Sequence, residues 1–545
     1  MNPYSRKGRA ASLSSAPFES LLVETGDEIG SSYGLLAESI EYPADQKWVI
    51  FRLRKEAKFS DSTPLTADDV AFTYKLFLEQ GLPSYRAVLA DIVQEVEVLG
   101  PHAIKYIFTE KASKRDAIPI VGGLPVKSQA WFEKNQARLD ESRMEPAIGS
   151  GPYVMDGFDI NRWVKYRRNP NYWGASLPIN KGRSNFDEIR IEYFADTNAA
   201  FEAFKSGAYT MRVENSSKSW ATAYDFPALT DGHVVKKLMP DGGIANGQSF
   251  VMNLRREKFS DIRVRQALSY LFNFEWSRES LFYGQYARIN SFWENSDLAA
   301  TGMPSAEEMV LLSPLEGDLP AGVLTKVAVM APVSGAKPMD RANLRKANAL
   351  LDEAGWPVGD DGLRRNANGN TLKIEIIEDS AAFDRIVLPF VENMKAAGIE
   401  AEYDRIDPAQ YTDRTRNYDF DIITDQFPMS YEPSSGLKQY FGSETADDSV
   451  FNSMGLKSPA VDALIEQVVA AENKSDLKVA VNALDRTLRA YNFWIPQWYN
   501  DQHRVAYWDM YEHPDEIAPY DLGYLDYWWY NEDKASALKD AGFLR

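Results

Sequence analysis

Short runs rich in β-branched and aromatic residues alternate along the chain with longer stretches of helical period, and this alternation predicts a mixed α/β architecture. Lys47 to Leu53, KWVIFRL, reads as a strand. After it, Thr66 is placed to cap a helix, Asp69 three residues on completes a capping box, and Gly81 suits the stop. Asp261 to Phe272 reads as an amphipathic helix with Ile262, Val264, Ala267, Leu268 and Leu271 broadly on one side. A further helix runs from Arg341 to Gly355. A strand at Leu372 to Ile377 follows, then the helix of IVLPFVENMKAAG, a strand-like IEAEYDRI and a strand at Tyr418 to Thr424. This order predicts a compact α/β lobe between about Phe259 and Thr487.

The last fifty residues have a different texture, dense in Trp and Tyr with few helix-period runs. They read as strands and loops closing back onto an earlier domain. Neither a repeat of fixed period nor a low-complexity tract is visible, and no run of about 18 apolar residues is long enough to span a bilayer.

Composition narrows the chemistry. A chain of 545 residues exceeds one ordinary core, and 44% hydrophobic with 26% charged residues is the balance of a globular protein. The 79 acidic and 60 basic residues give a net charge of −19, which repels a phosphate backbone and makes nucleic acid an unfavourable partner. With no cysteine there are no disulfides, thiolate nucleophiles or Cys-based metal sites. The four histidines, His102, His233, His503 and His513, are scattered and lie in no H-E-x-x-H pattern. A nucleophile elbow, a phosphate-binding glycine loop and a metal-ligand cluster are all absent from the sequence. No catalytic residue, cofactor or metal is therefore expected.

Five stretches, in order, carry a resemblance. They are FSDSTPLTADDVAFTYKLF, with Ser62 where glycine is usual; IGSGPY followed by RRNPNYWG; FEAFKSGAYTMRVEN, with Thr210 for an aspartate; FVMNLRREKFSDIRVRQALSYLFN, with Lys258 for a proline; and ALLDEAGW. The chain resembles the extracytoplasmic solute-binding proteins of peptide and nickel ABC importers, family 5. WATAYDFPAL, LFYGQYARINSFWENSDLAATG, PAQYTDR and RVAYWD are similar to its YejA-like branch, which binds oligopeptides and microcin C. The resemblance implies a two-lobed periplasmic-binding-protein type II fold, a flytrap with an extra subdomain inserted in lobe one. Mapped here, residues 1–32 belong to lobe one, 33–146 are the inserted subdomain, 147–252 are lobe one, 253–490 are lobe two, and 491–545 return to lobe one.

It further implies capture of a peptide or peptide-like ligand between the lobes, delivery to ABC permease subunits in the inner membrane, a periplasmic monomer and no catalysis. A nickel complex, heme or sugar as ligand is the alternative, with a ligand-sensing receptor or a hydrolytic enzyme behind it. Relatives begin with a signal peptide and a further strand, whereas here Met1 directly precedes Asn2-Pro3, as if the chain started inside lobe one.

Candidate ligand-binding residues follow, each beside a plainer reading. Asn215, Ser216, Ser217 and Trp220 fall on a loop the family places at the cleft, or form a polar turn. Tyr85 resembles a ligand-facing tyrosine of the inserted subdomain, or lies on a surface loop. The loop from Asp425, with Gln426 and Tyr431, follows a lobe-two strand, where open α/β sheets bind ligands. Peptide-binding relatives place an acidic residue here for the ligand's amine, and that position falls at Met429, so Asp425 is the substitute. Arg414 suits a carboxylate or is a solvated helix arginine. Phe292, Trp293, Trp498 and Tyr499 line a cleft or fill a core.

Overall fold

The computed structural model describes Tyr4 and residues 10–543; Asn2 and Pro3, which the sequence reading places inside lobe one, lie outside them. The chain forms two compact units. The first comprises Met1–Val213, Asp225–Lys237 and Val505–Arg545, and the second Glu214–Tyr224 and Leu238–Arg504.

In the first unit, β1 (Ala37–Glu41), β2 (Trp48–Leu53), β3 (Val93–Gly100) and β4 (Ala103–Phe108) form an antiparallel sheet in the order β1-β2-β4-β3. Val49, Phe51 and Leu53 of β2 are buried while Arg52 is exposed, the period-2 pattern of a half-buried strand. Helix α1 (Ala67–Gln80) covers the buried face with Ala67 and Val70. Its start is fixed by Asp69, whose carboxylate accepts from the backbone N–H groups of Thr66 and Gln129, both at 3.0 Å. In the turn before it Ser62 has φ +72°, a left-handed conformation that explains why glycine is usual there.

A second antiparallel sheet, β5 (Tyr153–Asp159), β6 (Trp163–Arg168) and β7 (Glu188–Glu192), follows. The chain beyond Val505 folds onto this unit: Val505–Tyr507 pair with Met211–Val213, and Arg183 makes a 2.6 Å ion pair with Asp526.

The second unit is built on β8 (Ser249–Met252), β9 (Lys373–Glu378), β10 (Glu400–Arg405), β11 (Ile422–Asp425) and β12 (Trp494–Pro496), in the order β10-β9-β11-β8-β12. Strand β9 runs parallel to β10 and β11, and β8 runs antiparallel to β11 and β12. Both faces are covered, so consecutive strand residues are apolar. Phe250, Met252, Ile374, Ile376 and Ile422 pack with α2 (Ile262–Leu271), α3 (Arg341–Glu353) and α4 (Asp384–Ala396). Val251, Ile377 and Ile423 face α5 (Pro459–Ala470) and α6 (Lys474–Ala490) on the other side.

Two residues of the NLRREKFSDIRVRQAL stretch have clear structural duties. Asn253 donates to the carbonyls of Tyr418 (2.9 Å) and Phe420 (3.0 Å), and Asp261 caps α2 by accepting from Arg263 N–H at 2.8 Å. Lys258, in the usual proline position, reaches the carboxylate of Asp421 at 2.7 Å.

Two boundaries differ from those read in the sequence. The segment 491–504 belongs to the second unit, because Trp494–Pro496 pair with β8 as the edge strand of its sheet. Glu214–Tyr224 and Leu238–Met252, assigned to lobe one by the sequence, also fold with the second unit. Tyr286 Oη donates to the Asn215 carbonyl at 2.9 Å and Gln285 Nε2 to that of Ser217 at 3.1 Å, which holds the first of these segments in place.

Candidate functional site

Strands β9 and β11 of the second unit end at Glu378 and Asp425, and antiparallel β8 begins beside them, with Ser249 opposite both Asp425 and Pro496. One edge of the sheet thus collects the carboxyl ends of its parallel strands, the place where open α/β sheets hold ligands. Asp425 accepts from the backbone N–H of Gln426 (2.8 Å) and from Ser453 Oγ (2.6 Å). Burial nevertheless raises its carboxyl above the usual range, and burial raises Glu378 likewise. Nearby, Tyr411 donates to the Thr424 carbonyl at 3.3 Å, and burial with the charges of Glu378 and Asp425 keeps its phenol protonated. This end of the edge is an acidic, partly desolvated corner.

A row of side-chain amides crosses from there to β12. Gln426 Nε2 donates to Gln248 Oε1 at 3.2 Å, and Gln248 Nε2 donates to Gln497 Oε1 at 2.8 Å. Gln497 is fully buried, and its Nε2 has no hydrogen-bond partner among the described residues, nor has Ser249 Oγ beside it. Buried polar atoms left unpaired cost about 1–3 kcal/mol each, so such a row is kept for a reason other than stability.

Next to Gln497 the chain forms a two-stranded ribbon, in which Trp498 and Tyr499 pair with Arg288 and Ala287. Trp498 lies against Phe282 (4.4 Å between ring centres), Tyr286 and Phe383 (6.2 Å each). The guanidinium nitrogens of Arg288 are closed off from solvent and have no hydrogen-bond partner among the described residues. Desolvation pushes the group down to about 10, so it stays charged at neutral pH. Tyr286 and Gln285 tie this ribbon to the segment containing Asn215 and Ser217. There Ser216 Oγ caps the helix Ser217–Thr222 by accepting from Ser219 N–H at 3.1 Å, Ser217 Oγ is buried with no hydrogen-bond partner among the described residues, and Trp220 packs edge-on to Tyr224 at 5.1 Å.

Tyr286 and Gln285 thus link the segment of Asn215, Ser216, Ser217 and Trp220 to the ribbon of Trp498 and Tyr499, and the amide row links Asp425 and Gln426 to Gln497 beside that ribbon. Other candidates are placed elsewhere. Phe292 and Trp293 are fully buried in the core, Phe292 stacked on Trp494 at 3.9 Å and Trp293 donating to the Ser430 carbonyl at 3.1 Å. Arg414 is engaged bidentately by Glu375, at 2.6 and 3.3 Å. Tyr431 donates to the Gly242 carbonyl, and Met429 packs against the core. Tyr85 belongs to the first unit, 42% exposed, its ring 5.6 Å from that of Phe77. Gln248, Gln497, Glu378 and Arg288 were not singled out from the sequence. The signals were a glutamine inside the apolar run WIPQWY and a lone arginine inside YARINSFW.

Among the described residues no group of acidic or histidine side chains could hold a metal ion, and no helix is long and apolar enough to cross a membrane. Comparison with known proteins adds four findings. The model for bacterial extracellular solute-binding proteins, family 5, matches residues 32–448. A probable peptide-binding protein YejA of Agrobacterium fabrum is 37% identical over 537 residues, covering 97% of this chain and 87% of its own. The fold is shared with the oligopeptide-binding protein AppA of Bacillus subtilis, solved with a nonapeptide (TM-score 0.69, 18% identity, 98% of this chain and 96% of that one). It is shared equally with NikA of Brucella suis, solved with Fe(III)-EDTA (TM-score 0.71, 18% identity, 96% of each chain).

Proposed function

The chain belongs to the bacterial extracellular solute-binding proteins of family 5, and from that premise we propose that it captures oligopeptides or peptide-like compounds and delivers them to the permease subunits of an ABC importer. The observation that supports this reading most is the edge of the second unit's sheet. A peptide offers an amine, a carboxylate and a line of backbone amides, all of which need partners once water is excluded. Asp425 and Glu378 suit a cationic amine, even though Met429 stands where relatives place an acid. The Gln426–Gln248–Gln497 row matches amides in both donor and acceptor character, whatever the ligand's side chains. Trp498, Tyr499 and Tyr286 offer aromatic faces that accept varied shapes.

In this reading the protein works as a periplasmic monomer that returns its ligand chemically unchanged, so no turnover accompanies binding. It neither needs a cofactor nor meets nucleic acid. We further propose that residues 33–146 form the inserted subdomain of lobe one.

Thermal unfolding with a short-peptide mixture, followed by native mass spectrometry of the complex, tests the proposal. Ligand at about 100 times its Kd adds about 2.7 kcal/mol to the folded state. Stabilisation by peptides, and none by nickel chelates or oligosaccharides, is the expected result. Stabilisation by a chelate or a sugar alone overturns it.

A further inference from the structure

Arg288 is a cation that the fold itself does not satisfy. None of its three guanidinium nitrogens has a hydrogen-bond partner among the described residues, and all three are shut off from solvent. Its neighbours are aromatic: the guanidinium carbon lies 4.9 Å from the ring centre of Phe274 and 5.3 Å from that of Phe272. Glu275 is near enough to attract the charge but makes no ion pair with it, and its carboxylate instead accepts from Ser334 N–H at 2.8 Å. A guanidinium flanked by ring faces still presents its N–H groups in the plane of a fork. A buried guanidinium whose N–H groups have no acceptor is costly to a fold, and an anion with two oxygens would satisfy it.

The position of Arg288 is informative. It pairs with Trp498 on the ribbon that continues from Gln497, so it stands beyond the β12 end of the amide row, while Glu378 and Asp425 stand at the β9 and β11 end. Acid and base thus occupy opposite ends of one edge. With strands about 4.8 Å apart, the three steps from β9 to β12 cover roughly 14 Å, the span of about four extended residues.

We propose that Arg288 is the anion-binding residue of this site and receives a ligand carboxylate, either the C-terminus or an acidic side chain, so that a peptide lies with its amine toward Asp425. This rests on the peptide-capture reading. A single carboxylate suits the position better than a phosphate dianion, because Glu275 already places one negative charge nearby. The fork geometry of a guanidinium matches a planar carboxylate with two parallel hydrogen bonds.

Isothermal titration with tetra-alanine as free acid, tetra-alanine amide, and Ala-Ala-Glu-Ala amide tests the assignment. The wild-type protein should bind the acid at least about tenfold more tightly than the amide. Recovered affinity for the glutamyl amide identifies a side-chain carboxylate as sufficient, and no recovery identifies the terminus; both support the role. Arg288→Met should abolish the preference for acid over amide while raising the melting temperature of the ligand-free protein, since it removes an unpaired charge. Arg288→Lys, which keeps the charge, should retain a weakened preference. Equal binding of acid and amide by the wild type overturns the assignment and leaves peptide capture standing. So does an undiminished preference in Arg288→Met, or an equal loss of both peptides in both variants, which marks a structural arginine. If the wild type binds none of the three but is stabilised by the peptide mixture, this placement of a four-residue ligand is overturned and peptide capture stands; if the mixture also fails, both fall.

Discussion

Glu19 sits in the first unit between two donors, Trp173 Nε1 at 2.9 Å and the Tyr172 hydroxyl, a setting that favours the anion. Removal from water outweighs both bonds, and burial pushes the carboxyl up to about 7 from 4.5. Because the folded-state value is the higher one, the folded protein binds the proton more tightly than the unfolded chain. The resulting stabilisation is complete below about pH 4.5 and is lost as pH rises through about 7. The shift corresponds to about 3 kcal/mol at 1.36 kcal/mol per pH unit. Glu19→Gln keeps an amide oxygen for one of the donors and removes the titration. Urea unfolding at pH 5 and pH 8 should therefore show wild type losing about 2.5 kcal/mol relative to the variant, other groups cancelling in the difference. A wild-type-minus-variant difference that does not change with pH would mean that Glu19 ionises freely in the folded state.

At the scale of elements, α6 shows how a helix can organise a long connection by buried charge. Asp485 is fully buried and accepts from Phe292 N–H (3.0 Å), Ala300 N–H (2.9 Å) and Arg489 Nη1 (2.9 Å), while Arg486 pairs with Glu308 at 3.1 Å. Asp485→Ala leaves Arg489 buried beside unpaired backbone groups, and should lower stability by about 3–5 kcal/mol. Amide exchange should quicken first at Phe292 and Ala300, and protection unchanged there would refute the anchoring role. Such contacts explain what the sequence could and could not disclose. The strand at Trp48–Leu53 and the helices beginning after Thr66 and Asp261 were legible, because local period and capping residues specify them without help from afar. Family signatures carried the fold, as Asn253 and Asp261 show by working in it. The backbone partners of Asp485, Phe292 and Ala300, lie almost two hundred residues away, and nothing in LDRTLRA announces that three charges there are buried. The same limit applies to the site. Asp425 and Gln426 were found because they follow a strand, whereas Gln248 and Gln497 matter only once β8 and β12 are neighbours.

Across the whole molecule, the net charge of −19 acts on every ligand before any contact forms. A field of one sign attracts cationic peptides and repels anionic ones over roughly a Debye length, about 30 Å at 10 mM salt and 3 Å at 1 M. The contacts proposed here, charged ones included, act at close range among partly desolvated groups, so salt screens them far less. Steering and holding should therefore separate experimentally. Stopped-flow association of a lysine-containing tetrapeptide should be about tenfold faster than that of its glutamate counterpart at 10 mM salt, and the two rates should converge by 0.5 M. Dissociation rates should differ little across the same range, because rim-independent contacts control escape. A rate ratio that persists at high salt would place a discriminating charge inside the site, with Asp425 and Glu378 the first residues to vary. A ratio near one at low salt would mean that the negative charge faces away from the approach of the ligand. In that case net charge serves solubility alone, and selection among peptides begins only at the amide row.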